Sequence, residues 1–384
     1  MSLLRCAAFA VLTGCAATAP SAAHPPQTEL IASVTTKNAA TTPATATTLL
    51  LERVPWTAER TPSVVSRSPQ TGWIDVLPLL PASSTHPLGT ALLVTLAQPA
   101  PGTMSQVMFY EWDPQASRVL RALRLPGGTL EVRSVIAFGE LVLVRLTEDA
   151  HVELLRVDAA LEHARTTPLG LGESPSRLAL VGSEAHLVVS ASVIAGDAVV
   201  RRVHALDREG ASRAHRDVRD GEAVAGVLRI DPMVLRDDTL YVVGHDPAEP
   251  LGKATAEHPS LPGALGVLSF DAGALEPRAL RMTDVEPLSP ANLYASAKGL
   301  LLVSEGQVFE VDAGLRAAKR NPRLHGPHLA FGADGAVYDV PQRLRLAPES
   351  TQQRTCFPAR LAKVTLYACA TSDELGKGTV AVLQ

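Results

Sequence analysis

The stretch Leu300 to Lys319, LLLVSEGQVFEVDAGLRAAK, constrains this chain more than any other. It reads as an apolar strand, a tight turn at Gly306 and Gln307, a second strand ending in Val311 and Asp312, and a small-residue turn leading outward. The same grammar recurs upstream, with strands ending in Trp112-Asp113, Val157-Asp158, Leu206-Asp207 and Phe270-Asp271. Counting back from each Asp, positions one, three and four are apolar, with His204 the exception. A repeat of this kind dictates architecture before it says anything of chemistry.

From about Leu49 onward, short and often β-branched apolar runs are punctuated by Gly, Pro, Asp and Ser, and no long helical period appears. The five aspartates are spaced by roughly 40 to 65 residues, the range of four-stranded propeller blades. Each follows a core strand: Ala91 to Ala97, Leu141 to Leu146, His186 to Val193, Leu240 to Gly244 and Leu300 to Ser304. A sixth, compact unit runs from His328 to Val340, and a seventh from Val364 to Leu383. The seventh lacks an outer strand, and Leu49 to Val54 is an apolar run with no partner of its own. The expectation is an all-β, closed β-propeller over residues 49–384, with seven four-stranded blades and the last completed by that N-terminal strand. Closure would leave only short, protected edges. The recurrent Asp is read as a turn acceptor for backbone N–H groups.

This pattern resembles the β-propellers of the quinoprotein-like and WD-like superfamilies. The repeat is degenerate, with no Gly-His to Trp-Asp signature, no double-glycine kelch pattern, no Ser-x-Asp-x-Gly-x-x-Trp box and no outer-strand Trp of the quinone-binding kind. The resemblance therefore implies a fold and no cofactor.

Ahead of the repeats, Arg5 is followed by an apolar run from Cys6 to Leu12 and then by Leu12-Thr13-Gly14-Cys15. Such a run is too short to span a bilayer and reads as a secretory signal over residues 1–14. Its last four residues resemble the lipobox of bacterial lipoproteins, which implies cleavage before Cys15 and lipidation of that cysteine. Multiple acyl chains would make the anchor stable. The remainder of residues 15–48, rich in Ala, Thr and Pro, buries too little to order itself and reads as a flexible tether. The expected location is the bacterial outer membrane, lipid-anchored and periplasmic or surface-facing.

Few residues suggest chemistry. Cys356 and Cys369 lie in an exported chain and in one unit, so a disulfide closing a short loop is expected, contributing about 3 kcal/mol. The longest loop, Gly244 to Gly263, carries His245, Asp246, Glu249, Glu257 and His258. These are metal-capable types, but their spacing matches no metal site; prolines with polar fillers describe an ordinary exposed loop, and of the two functional readings partner contact is preferred to metal. His325 and His328 flank Gly326-Pro327 and read as a turn. No His-Glu-x-x-His, Gly-x-Ser-x-Gly, Walker or EF-hand pattern occurs in the sequence. A net charge of −4 without an evident Lys/Arg cluster argues against nucleic acid.

Two functions from different classes lead, with a purely structural or surface-coat role as a third. The first is a protein-binding or scaffold module at the cell envelope with an envelope protein partner, similar in layout to the propeller lipoprotein of the outer-membrane β-barrel assembly machinery. The Gly and Trp signature of that family is missing, so its partner is not carried over. The alternative is a propeller enzyme, a metal-assisted hydrolase or lyase acting on a small molecule or glycan in the central channel.

Overall fold

The structure is a computed structural model that describes residues 46–55, 74–80, 89–97, 103–116, 118–195, 198–219, 233–245, 265–282, 291–304, 307–325, 329–331, 336–340, 342, 355–361, 364–370 and 378–383. Among them are twenty-seven β-strands in seven antiparallel sheets. Two short strands, β1 (Thr47–Leu50) and β2 (Glu52–Val54), precede the meanders. The first sheet contains β3 (Ile74–Leu80), β4 (Thr90–Ala97), β5 (Gln106–Asp113) and β6 (Arg118–Arg124). The second contains β7 (Thr129–Ala137), β8 (Glu140–Thr147), β9 (Val152–Val157) and β10 (His163–Leu169).

The third, fourth and fifth sheets are four-stranded meanders. They consist of β11 (Glu173–Gly182), β12 (Leu187–Ala195), β13 (Ala198–Leu206) and β14 (Ser212–Arg219); then β15 (Met233–Arg236), β16 (Thr239–His245), β17 (Leu265–Asp271) and β18 (Pro277–Met282); then β19 (Ala291–Ser296), β20 (Gly299–Ser304), β21 (Gln307–Val311) and β22 (Ala318–His325). The sixth pairs β23 (Leu329–Phe331) with β24 (Val337–Asp339). The seventh orders β25 (Thr355–Leu361), β26 (Val364–Ala370) and β27 (Gly378–Leu383).

Strand β8 shows why the core strands are apolar without alternation. Leu141 and Leu143 pack against Leu92, Val94 and Phe109 of the first sheet, whereas Val142, Val144 and Leu146 pack against Leu178 and Val189 of the third. With both faces covered, the period-two pattern of a half-exposed strand disappears. Strand β16 repeats the arrangement, sending Leu240 and Val242 one way and Tyr241 and Val243 the other. One apolar layer thus fills each seam from the first sheet to the fifth. Beyond it, Tyr294 of β19 stacks on Phe331 of β23 at 5.0 Å, and Tyr338 meets Tyr367 edge-on at 6.3 Å. Strands β25 and β26 lie beside β3 of the first sheet. The chain is an all-β protein of propeller type.

The repeat aspartates are turn acceptors, as the sequence implies. Asp312 accepts from the N–H groups of Gly314 at 2.7 Å, Arg316 at 3.1 Å and Ala317 at 2.9 Å. Asp113, Asp158, Asp207 and Asp271 accept from the turns that follow them in the same way. Three of these turns place a leucine in the left-handed region, with φ of 56° at Leu161, 54° at Leu275 and 54° at Leu315. That conformation costs roughly 1–2 kcal/mol for a residue with a Cβ. All three leucines are buried, and burying the side chain returns roughly 1.5–3 kcal/mol. Burial outweighs strain, which is why leucine stands where glycine is the default.

One expectation is overturned. Residues 49–54 do not complete the seventh sheet. Strand β1 pairs with β10, from Thr47 opposite Thr166 to Leu50 opposite His163, and β2 pairs with β6, from Glu52 opposite Arg124 to Val54 opposite Ala122. The segment is a fifth strand on the outer edges of the second and first sheets in turn. Leu51 decides this placement: it drops into the apolar layer between those sheets, 5% exposed, and its N–H donates to the Glu162 carbonyl at 2.8 Å. Glu52 then pairs with Arg124. Among the described residues, β27 has β26 as its one neighbour in the seventh sheet.

Candidate functional site

The polar groups best placed to act are those at the seams between sheets. The first strands of the meanders run side by side, β7 next to β3, β11 next to β7, β15 next to β11 and β19 next to β15. Away from that inner wall, a long side chain of one sheet repeatedly donates to a carbonyl in the Asp turn of the next. Arg121 donates to the Ala160 carbonyl at 2.9 Å, Arg156 to the Arg208 carbonyl, and the Tyr241 hydroxyl to the Ala313 carbonyl at 2.7 Å. Each acceptor follows a repeat Asp by one or two residues. Burial pushes the Tyr241 hydroxyl up, so it stays protonated and donates. At the third seam His186 takes this place, its Nε2 2.9 Å from Asp238. Arg236 adds bonds to the carbonyls of Ser296 at 3.2 Å and Gly299 at 3.1 Å.

The guanidinium groups are oriented by carboxylates on their own sheets. Arg121 is bonded to Glu111 at 2.6 Å and Arg202 to Asp217 at 2.7 Å, while Arg156 is bonded to Glu140. Burial raises the Glu140 carboxyl, but Arg156 and Arg208 outweigh it and hold the group below the usual range. The turn N–H groups do the same for Asp271, led by that of Ala274. These acids are committed to donors. No sequence signal marks the seam contacts, because their acceptors are main-chain carbonyls and any residue supplies one.

The inner wall carries a buried ion pair. Glu131 and Arg133 share one face of β7, both under a tenth exposed, with Arg133 Nη2 3.1 Å from Glu131 Oε1. The pairing offsets the large desolvation cost of each ion. On β11, Ser174 and Arg177 have φ of 46° and 50°, and the ladder to β12 shifts register around them. The Arg177 carbonyl accepts from Arg201 at 3.3 Å. Arg201 is 2% exposed and also reaches the hydroxyls of Ser190 at 3.2 Å and Ser192 at 3.4 Å. Alternation hides this cluster in the sequence, since Ser190 and Ser192 lie within an otherwise apolar strand.

Histidine 204, the break in the apolar pattern, is buried. Its ring stacks on His215 at 5.5 Å and its Nδ1 lies 3.0 Å from the Ser212 hydroxyl. Burial, then the charges of His215 and Arg202, pull it down to about 4.

Of the expected site residues, His245 ends β16, opposite Leu265. Asp246, Glu249, Glu257 and His258 lie outside the described residues, as do Cys15 and His328. Among the described residues, no three or more His, Cys, Asp or Glu side chains gather where they would hold a metal ion. Cys356 and Cys369 face one another across β25 and β26, with Cα atoms 4.1 Å apart and sulfurs bonded at 2.09 Å. No helix among the described residues is long and apolar enough to cross a membrane.

No protein-family model matches the chain, and no curated protein matches it in sequence. Two solved structures resemble it. A subtype N11 neuraminidase-like protein of A/flat-faced bat/Peru/033/2010 (H18N11) is 10% identical with a TM-score of 0.40, over 87% of this chain and 93% of that one. BamB from Moraxella catarrhalis is 14% identical with a TM-score of 0.38, over 86% of this chain and 97% of that one. At these values the likeness decides nothing beyond what the sheets themselves establish.

Proposed function

We propose that the chain is a lipid-anchored β-propeller that serves as a protein-binding or scaffold module at the bacterial cell envelope. Residues 1–14 are its signal, Cys15 carries the lipid, and the Ala/Thr/Pro-rich tether leads to the first strand at Thr47, just ahead of the expected boundary at Leu49. The ring has seven blades and is closed. Support comes from the apolar layer at each early seam, the Tyr294–Phe331 stack and the packing of β25 and β26 on β3. Attachment is to the outer membrane, with the ring in the periplasm or at the surface.

The observation that carries the scaffold reading is the fate of the repeat aspartates. The one acid present in each regular unit is taken up by its own turn N–H groups, so repetition here serves shape. The competing propeller enzyme needs acids from several blades converging on the channel. Glu131 of the inner wall is instead paired with Arg133.

Two measurements test this. Cys15→Ser should move the protein from the membrane fraction to the soluble one; unchanged fractionation would sink the anchor. Photo-crosslinkers placed singly around the outer strands of the membrane-bound protein should capture one stoichiometric partner from a contiguous arc. Uniform or absent crosslinking would refute the scaffold.

A further inference from the structure

We infer that the outer strand of the fifth sheet, β22, is the docking surface for an acidic segment of a partner protein. The inference rests on the scaffold reading and names the part of the ring that reading leaves open. Within eight residues β22 carries Lys319, Arg320, Arg323 and His325, all exposed, and no acid. The sequence as a whole hides this cluster, because its net charge is −4 and asparagine, proline and leucine interrupt the run. On a strand edge the same four residues share one short rim.

What sets β22 apart is that three cations without an ion pair lie within five residues of one another, with no acid on the strand. Arg121 and Arg124 on β6 and Arg278 on β18 each sit on a carboxylate. Among the described residues, Lys319, Arg320 and Arg323 make no ion pair. Glu310 stands opposite Lys319 in the ladder, but its Oε1 accepts from the Asn321 amide at 2.7 Å. Like charges side by side on a strand repel, and an anionic partner would remove that cost. A local patch of opposite sign to the whole molecule also steers and orients encounter.

The geometry selects side-chain recognition over strand addition. Pro322 lacks an N–H, and the ladder slips between the Gln307–His325 and Phe309–Arg320 pairs, so the edge is bulged where another strand would need to pair. It also selects a protein over the bilayer. The N-terminal segment is fixed to β10 and β6, on the second and first sheets. Between the second sheet and the fifth lie the third and fourth on one side and the first, seventh and sixth on the other. The basic rim therefore faces away from the side at which the tether arrives.

The test uses the purified full-length chain, a fluorescein-labelled decaglutamate peptide read by anisotropy, and vesicles containing phosphatidylglycerol. The variant Lys319→Glu/Arg320→Glu/Arg323→Glu is compared with Arg118→Glu/Arg165→Glu/Arg213→Glu, which makes the same charge change at exposed positions of other outer strands. The expected result is peptide binding that weakens as salt rises, falls by about tenfold or more in the β22 variant and holds within about twofold in the control. A glutamine triple variant at the same three positions should fall in between, and a thermal melt checks that each variant folds. Equal losses in both charge-reversal variants, or no salt-dependent binding, would overturn the proposal. So would vesicle binding that depends on β22 while peptide binding does not, which would assign the rim to lipid. None of these outcomes depends on fractionation or crosslinking, so the rim and the scaffold can fail separately.

Discussion

The first two sheets and the last two are joined to their neighbours by different means. The first and second share a continuous apolar layer that includes Leu92, Phe109, Leu143 and Leu155, and a single segment of chain is laid across both outer edges. The sixth and seventh share a smaller layer around Ala330, Tyr338, Val340, Tyr367 and Cys369, supplemented by an edge-on tyrosine pair, and the seventh is braced from within by a disulfide between β25 and β26. Where long strands bury leucine on both faces, packing suffices. Where the described strands are as short as Leu329–Phe331, aromatic contacts supplement it across the seam and a covalent link braces the seventh sheet itself.

Breaking the link should expose this difference most. The bridge closes a loop with a sequence separation of 13, so Cys356→Ser/Cys369→Ser should cost about 3 kcal/mol on the chain-entropy account. Urea denaturation with and without reductant checks it, and an unchanged midpoint would mean that packing alone holds the seventh sheet. Next comes acid. The folded form of His204 binds its proton near pH 4, below the ordinary 6.5, so the unfolded chain takes up the proton first. Stability is therefore full above about pH 6.5 and declines as pH falls towards 4, by about 3 kcal/mol in all. Denaturation midpoints of His204→Gln should lose this slope; a parallel slope would clear His204 of the effect.

At the N-terminal segment the effects are smaller and of unequal size. Leu51→Ala should cost about 2 kcal/mol, because Leu51 is buried and leaves a cavity between two sheets. Glu52→Ala should cost about 0.5 kcal/mol, since its pair with Arg124 is substantially exposed. Reversal of that order would mean that charge, not the buried leucine, holds the segment in place.

The regular units were legible because both of their signals are local. An apolar run without alternation means a strand covered on both faces, as Leu141 to Leu146 is, and an Asp after it means a turn with free N–H groups to satisfy. The docking of residues 47–54 was not legible for an equally physical reason. The run Leu49 to Leu51 states that the segment needs an edge, and several edges present the same donors and acceptors. Choice among them falls to one pocket, the gap between the first two sheets that Leu51 fills. The seam contacts of Arg121, Arg156 and Tyr241 were hidden likewise, since a main-chain acceptor leaves no letter in the sequence. The basic rim was hidden by averaging, because a net charge reports the sum and a strand edge reports the neighbours.

The N-terminal segment also has a mechanical meaning. Tension drawn along the axis of β1 loads its four residue pairs with β10 in shear, all at once, before it reaches Leu51 or the strands behind it. A segment that crosses from one sheet to the next divides that load between two sheets, as a strap divides a weight between two rails, and the turns and seams farther round feel little of it.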